Sequence, residues 1–136
     1  MFVHHAQLRF SDSDAMGHVN HARFATIFED ARIALVRSLA PPGQDLTSRG
    51  VILARLEIDY VRPLEVREDP VATTARVVRV GTSSFAIDYT LRQGDAICAR
   101  GVSVLVAYDY AAARSRPLTD AERTQLQEAM EDAAPG

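Results

Sequence analysis

At 136 residues the chain has the length of about one domain, 1–136, and its 47% hydrophobic content suffices for a substantial core. Lys and Arg total 15 against 18 Asp and Glu, a formal charge of -3 that excludes a generally basic nucleic-acid binder, though not a local basic patch. The single cysteine, Cys98, excludes an intrachain disulfide and a multi-cysteine zinc site; the start of the chain has no signal-peptide pattern and no run approaches the roughly 18 apolar residues of a membrane span, so a cytoplasmic protein without a membrane partner is expected.

Residues His5 to Phe10 predict a short strand, followed by the small, polar stretch Ser11 to Asn20, where turn chemistry dominates. From His21 to about Leu39 the apolar residues Phe24, Phe28, Ala31 and Leu35 recur at helical spacing, with Asn20 as N-cap and Pro41-Pro42-Gly43 as terminator. Val51 to Arg62 changes period: Ile52, Ala54, Leu56, Ile58 and Tyr60 alternate with charged residues, which predicts one buried strand face up to Pro63. Three further strands follow, Val71–Val80, Ser84–Arg92 and Ile97–Tyr108, with turns at Gly81-Thr82-Ser83 and Gln93-Gly94-Asp95. Leu118 to Met130 is a modest amphipathic helix with a Thr119–Glu122 capping box. Segregated helix and sheet predict an α+β fold, and three hairpin connections in succession predict an antiparallel sheet whose apolar face the long helix covers.

The chain has no G-x-S-x-G, P-loop, GxGxxG or H-E-x-x-H motif. Its functional side chains crowd into one loop: Asp12, Asp14, His18, Asn20 and His21 lie within ten residues at a helix start. Free N–H groups and the helix dipole there favour developing negative charge, the basis of an oxyanion hole, and a carboxylate opposite it attacks a carbonyl or activates water. Acyl transfer is the reaction class that fits. Taken alone, Asp14 reads as a turn cap and Cys98 as a small core residue.

The string from Arg9 to Arg32, with Asp12, Asp14, Gly17, Val19, Phe24 and Glu29 at the places of a D-x-D-x-x-G-x-V motif followed by an aromatic residue and a helical Glu, resembles the 4-hydroxybenzoyl-CoA thioesterase branch of the hotdog-fold superfamily. The resemblance continues through Tyr60-Val61-Arg62-Pro63-Leu64, Asp69 and Gly81-Thr82-Ser83-Ser84-Phe85. It implies an antiparallel sheet wrapped around a long central helix, subunits paired edge to edge as a dimer or tetramer, and active sites at their interface. It implies hydrolysis of an acyl-CoA without metal or separate cofactor, coenzyme A being part of the substrate. Asp14 matches the catalytic carboxylate, Gly17 the glycine of the close-passing loop, and the His21 backbone N–H the donor to the thioester oxygen. Asp12 and Glu29 match residues expected to hold the loop.

His18 is expected either to act as an acid or base or to shape the loop by hydrogen bonding. Asn20, Phe24 and Glu29 are the expected substrate contacts. The Arg- and Lys-rich turn with which the family meets coenzyme phosphates is here Gly81-Thr82-Ser83, so that task falls to Arg79 or Arg92 or the binding is weak; Arg55, Arg62, Arg76, Arg79 and Arg92 are expected to be mostly a solvated face, with one or two reaching the phosphates. Asp12, Asp14, His18 and His21 also form a candidate metal set, disfavoured because the family works without one. His18-Val19-Asn20 resembles plant-type acyl-ACP thioesterases as well, but their Asn two residues before the His is here Met16. An acyl-ACP substrate and a non-catalytic acyl-carrier binder are the alternatives; a hotdog dehydratase ranks low, since the D-x-N-P-x-H motif is missing.

Overall fold

Asn20 turns the chain into its first helix: the side-chain oxygen accepts a hydrogen bond from the Ala22 N–H at 2.9 Å, satisfying one of the donors that a helix start leaves free. In the computed structural model, which describes residues 1–133, this helix, α1, runs His21–Ser38 and ends before the Pro-Pro-Gly sequence. The remaining elements are β1 (Phe2–Ala6), a 3-10 turn (Phe10–Asp12), α2 (Leu46–Arg49), β2 (Val51–Tyr60), β3 (Val71–Val80), β4 (Ser84–Gln93), β5 (Ala96–Asp109), β6 (Arg114–Ser115) and α3 (Asp120–Ala133). The fold is mixed α+β. Every strand pairing is antiparallel, in the order β1-β3-β4-β5-β2, with β6 joined to β5. Among the described residues no helix is long and apolar enough to cross a membrane.

The order corrects the expected run of three hairpins. Two are present, β3–β4 and β4–β5, but β2 pairs with β5 at the far edge of the sheet. Residues 61–70 hold Pro63 and Pro70, which cannot donate to a ladder, and they cross from that edge towards β3. Leu64 anchors the crossover: it is fully buried, and its carbonyl accepts a hydrogen bond from the Val19 N–H at 3.0 Å. The Gln93 amide fastens it again, donating to the Glu65 carbonyl at 2.7 Å and accepting from the Glu65 N–H at 3.1 Å.

The buried face expected on β2 is also altered. A bulge between Leu53 and Arg55 leaves Ala54 unpaired, so Leu53 lies opposite Leu105 while Leu56 lies opposite Ser103. Directly opposed residues share a face, and the extra residue turns Ile52 away from the face of Leu53, Leu56, Ile58 and Tyr60. With no neighbour beyond the edge, most of β2 is exposed. At the N-terminus the strand is Phe2–Ala6 instead of His5–Phe10, because Asp12 closes a 3-10 turn by accepting the Arg9 N–H at 2.8 Å. The sequence pattern missed α2 and β6, which are too short to show a period.

α1 does not cover the sheet alone, since α3 packs on β3 and buries Leu126 fully. The α3 start is tied down by the expected box, Glu122 N–H to Thr119 Oγ1 at 3.1 Å and Thr119 N–H to Glu122 Oε1 at 2.9 Å. Arg116 adds two donors to the same carboxylate at 2.7 and 2.9 Å. In the core, Phe28 stacks on Tyr89 with centroids 4.8 Å apart, and the Tyr89 hydroxyl meets Ser103 Oγ at 2.6 Å. Phe28 packs directly on Gly101, where a Cβ would fall 2.7 Å from the ring.

Gly101→Val is therefore expected to lower the free energy of urea unfolding by about 1–3 kcal/mol through overpacking. Burial raises the Glu122 pKa, but the Arg116 and Thr119 bonds outweigh it and hold the carboxyl below its ordinary value. A depressed folded pKa contributes stability that is present above the usual carboxylate range and lost as pH falls through the folded value. Glu122→Gln should cost about 2 kcal/mol at neutral pH, and its unfolding curve should converge on that of the wild type on acidification.

Candidate functional site

The loop before α1 is closed by its own backbone. The Asp14 N–H donates to the His18 carbonyl at 2.7 Å, the Gly17 N–H to the Asp14 carbonyl at 3.2 Å, and Ser13 bridges Val19. Gly17 makes the turn at φ +81, a left-handed conformation that favours glycine. The Asp14 carboxylate takes part: its Oδ1 accepts from the Met16 N–H at 2.8 Å and the His18 N–H at 3.2 Å. Its Oδ2 has no hydrogen-bond partner among the described residues. Asp14 is thus a turn cap with one carboxylate oxygen unengaged.

That carboxylate borders a cavity of about 300 Å³ where the loop, the start of α1, the end of β2 and the crossover meet. His18, His21, Phe24, Tyr60 and Arg62 line it with Asp14. His21 is the first residue of α1, and its backbone N–H makes no hydrogen bond among the described residues, leaving a free donor at the positive end of the helix dipole. Its ring lies 4.6 Å from that of Tyr60, whose hydroxyl donates to the His21 carbonyl at 3.4 Å. Phe24 is buried edge-on to Tyr60 at 5.0 Å and gives the cavity an apolar wall. Asp14, His18, His21 and Phe24 therefore converge as the sequence suggests; Asn20 is spent on capping the helix.

Asp12 holds the other side of the loop. It is buried, its carbonyl accepts the Asn20 N–H at 2.8 Å, and its carboxylate lies 3.4 Å from both Arg9 Nη2 and Arg23 Nε. Burial raises its pKa, while the Arg9 backbone N–H and the Arg23 charge outweigh this and hold it below the ordinary value. Among the described residues no three His, Cys, Asp or Glu side chains are grouped to hold a metal.

Three expected contacts lie elsewhere. Glu29 makes no hydrogen bond to the loop; at 1.5 Å rise per residue it stands about 12 Å along α1 from His21. It is exposed, 3.7 Å from Arg32 Nη2, beside a separate cavity against the start of β2. Arg32 itself is buried, and its Nη1 has no hydrogen-bond partner among the described residues. Arg79 pairs with Ala86 and Arg92 with Ala72, so these two arginines stand at opposite ends of the β3–β4 ladder, and neither lines the Asp14 cavity. The sequence reading missed Tyr60 as a wall and Arg67 as a local cation; of the five arginines it offers for coenzyme phosphates, Arg62 lines the cavity. A second cavity of about 420 Å³ adjoins the first, shares His18, Arg62 and Pro63 with it, and adds Arg67, Gln93 and Cys98. Burial pushes the Cys98 thiol pKa up, as suits a packing residue.

Comparison with known proteins agrees with this architecture. A predicted thioesterase from Bacillus stearothermophilus superposes with a TM-score of 0.87 at 27% identity, over 99% of this chain and 98% of that one. A thioesterase from Thermus thermophilus, crystallised with coenzyme A and Zn, superposes with a TM-score of 0.83 at 31% identity, over 95% and 93% of the two chains. The uncharacterized protein YsmA of Bacillus subtilis (strain 168) is 28% identical over 130 residues, 92% of this chain and 84% of its own length. The sequence signature of the Thioesterase-like superfamily matches residues 8–131, from just after β1 almost to the end of α3, and the chain belongs to that superfamily.

Proposed function

We propose that this protein is a cytoplasmic acyl-CoA thioesterase of the 4-hydroxybenzoyl-CoA thioesterase branch, which splits an acyl-CoA into free acid and CoA. The observation that carries this reading is the meeting of a carboxylate with an open oxygen and an unengaged helix-start N–H in one cavity. The thioester oxygen accepts the His21 N–H, which stabilises the charge developing on it. As general base, Asp14 takes a proton from the water that attacks the carbonyl carbon, and the tetrahedral intermediate expels the thiolate, which takes that proton and leaves as CoA; as nucleophile, Asp14 attacks the carbon itself, the thiolate leaves, and water hydrolyses the resulting acyl–Asp14 anhydride to the free acid, restoring the carboxylate and supplying the thiolate's proton. The His18 backbone orients Asp14, and Phe24 lines the acyl side. The coenzyme A held by the Thermus thermophilus thioesterase supports the choice of carrier.

The hotdog arrangement, with the sheet wrapping the 18-residue α1, belongs to the same reading, as does self-association. β2 is an open edge with Leu53 42% and Tyr60 47% exposed. Antiparallel pairing of two copies about Leu56 sets Arg55 of each against Glu57 of the other, and an open apolar edge invites such pairing. One observation favours the alternative of a non-catalytic acyl-CoA binder: Asp14 already serves as a cap.

Thiol release from a panel of short, medium, long and aromatic acyl-CoAs separates the two. Asp14→Asn keeps a capping oxygen and should reduce kcat by on the order of 100-fold or more; turnover near that of the wild type removes Asp14 from the chemistry, and coenzyme binding without product favours the binder. Light scattering should give at least twice the chain mass. Arg55→Glu should weaken association and the double exchange Arg55→Glu, Glu57→Arg should restore it, whereas a monomeric wild type rules the edge pairing out.

A further inference from the structure

Arg62 is the cation that two cavities share. It is exposed, it borders both the Asp14 cavity and the adjoining one, and its guanidinium makes no hydrogen bond or ion pair among the described residues. Arg67 lines the second cavity, with its guanidinium on Glu65 at 2.7 and 3.2 Å. Both partners of that pair are more than half exposed, so it is a weak contact that a phosphate, with stronger bidentate acceptors, displaces or bridges. His18 lies on the rim between the cavities and lines both.

The fold fixes where these cations stand. The Val61 and Arg62 N–H groups both donate to the Cys98 carbonyl, at 2.8 and 3.0 Å, Leu64 is locked in the core, and Gln93 clasps Glu65 from both sides. The arginines sit on a crossover pinned at several points, and a rigid backbone lowers the entropy lost when their side chains bind. Of the other arginines on or beside the sheet, Arg76 is bound to Asp88 at 2.9 and 3.0 Å, Arg116 to Glu122, Arg79 stands at the far end of the β3–β4 ladder, and Arg92, though next to Gln93, lines a different cavity with Arg76 and Asp88.

We infer that Arg62 and Arg67 form a phosphate site that holds the phosphate end of the substrate's pantetheine arm while the thioester lies over Asp14. This rests on the thioesterase reading and names residues of the same site. The phosphate is that of coenzyme A or of a carrier protein's phosphopantetheine, which share this chemistry. Arg62 is the primary contact because it is unpartnered and closest to the Asp14 cavity; Arg67 joins by releasing Glu65.

The test compares hydrolysis of one acyl group carried on pantetheine, phosphopantetheine and coenzyme A. The wild type should prefer phosphopantetheine over pantetheine, which supports the site; any further preference for coenzyme A reads contacts to the 3′-phosphoadenosine part that phosphopantetheine lacks. Arg62→Gln should reduce the ratio of kcat/KM for acyl-CoA over acyl-pantetheine about tenfold, through KM, Arg67→Gln should reduce it less, and Arg62→Lys should recover part of it. Equal kcat/KM for the three carriers, or variants that lower all three alike, overturns the site. If no carrier is hydrolysed, the thioesterase reading fails, and calorimetry with coenzyme A decides the phosphate site alone: binding weakened in Arg62→Gln supports it, and binding unchanged or absent overturns it.

Discussion

The site depends on a single junction in the core. Val19 and Leu64, both buried, come from segments 45 residues apart, and one backbone hydrogen bond of 3.0 Å joins them. Val19 ends the loop that carries Asp14, and Leu64 sits in the crossover that carries Arg62. Burying the two aliphatic side chains together supplies the apolar free energy that holds two otherwise polar, irregular segments in one place. The junction exists because β2 runs at the far edge of the sheet: a chain leaving Tyr60 for β3 must pass beneath the helix start, and that path presents Leu64 to Val19.

On this frame two nearby carboxylates acquire different roles from their surroundings. Asp12 is buried between Arg9 and Arg23 and spends its oxygens on the loop's framework. Asp14, two residues on, divides its own: Oδ1 caps the turn and Oδ2 has no partner among the described residues, on a side chain that borders the cavity. Capping therefore leaves one oxygen of the carboxylate unspent, and the two cap bonds limit how far the group can turn. The free N–H of His21 completes the arrangement because Asn20 caps the donor of Ala22 and leaves that of His21 unused.

Periodicity made much of this legible. α1, β3, β4 and β5 carry regular patterns of ten or more residues, and their positions follow from the sequence to within a residue or two. The Asp12–His21 cluster was legible because it is local, with its members close whatever the fold. What failed depended on through-space geometry. A proline at 63 says where a strand stops but not which edge the chain crosses to, so neither Arg62 nor Tyr60 stands out as a neighbour of Asp14. One unpaired residue, Ala54, inverts the first three residues of β2, and no feature of the alternation marks it. Glu29 shows the complementary limit: helical spacing gives its face, but the rise of α1 carries it away from the loop.

The position of β2 also accounts for the two ends of α1. His21 packs on Tyr60 at the end of β2, and Arg32 borders a cavity with Val51, Ile52 and Leu53 at its beginning, so α1 runs beside β2 in the opposite direction. On the proposed antiparallel pairing about Leu56, the Tyr60 end of each copy meets the Val51 end of the other. The Asp14 cavity of one subunit then abuts the Glu29–Arg32 cavity of its mate. A buried guanidinium with an unpartnered Nη1 is costly in an isolated chain. The proposed edge pairing would thus cover the exposed apolar side chains of β2 and bring the Asp14 cavity of one copy and the Arg32 cavity of the other to one seam.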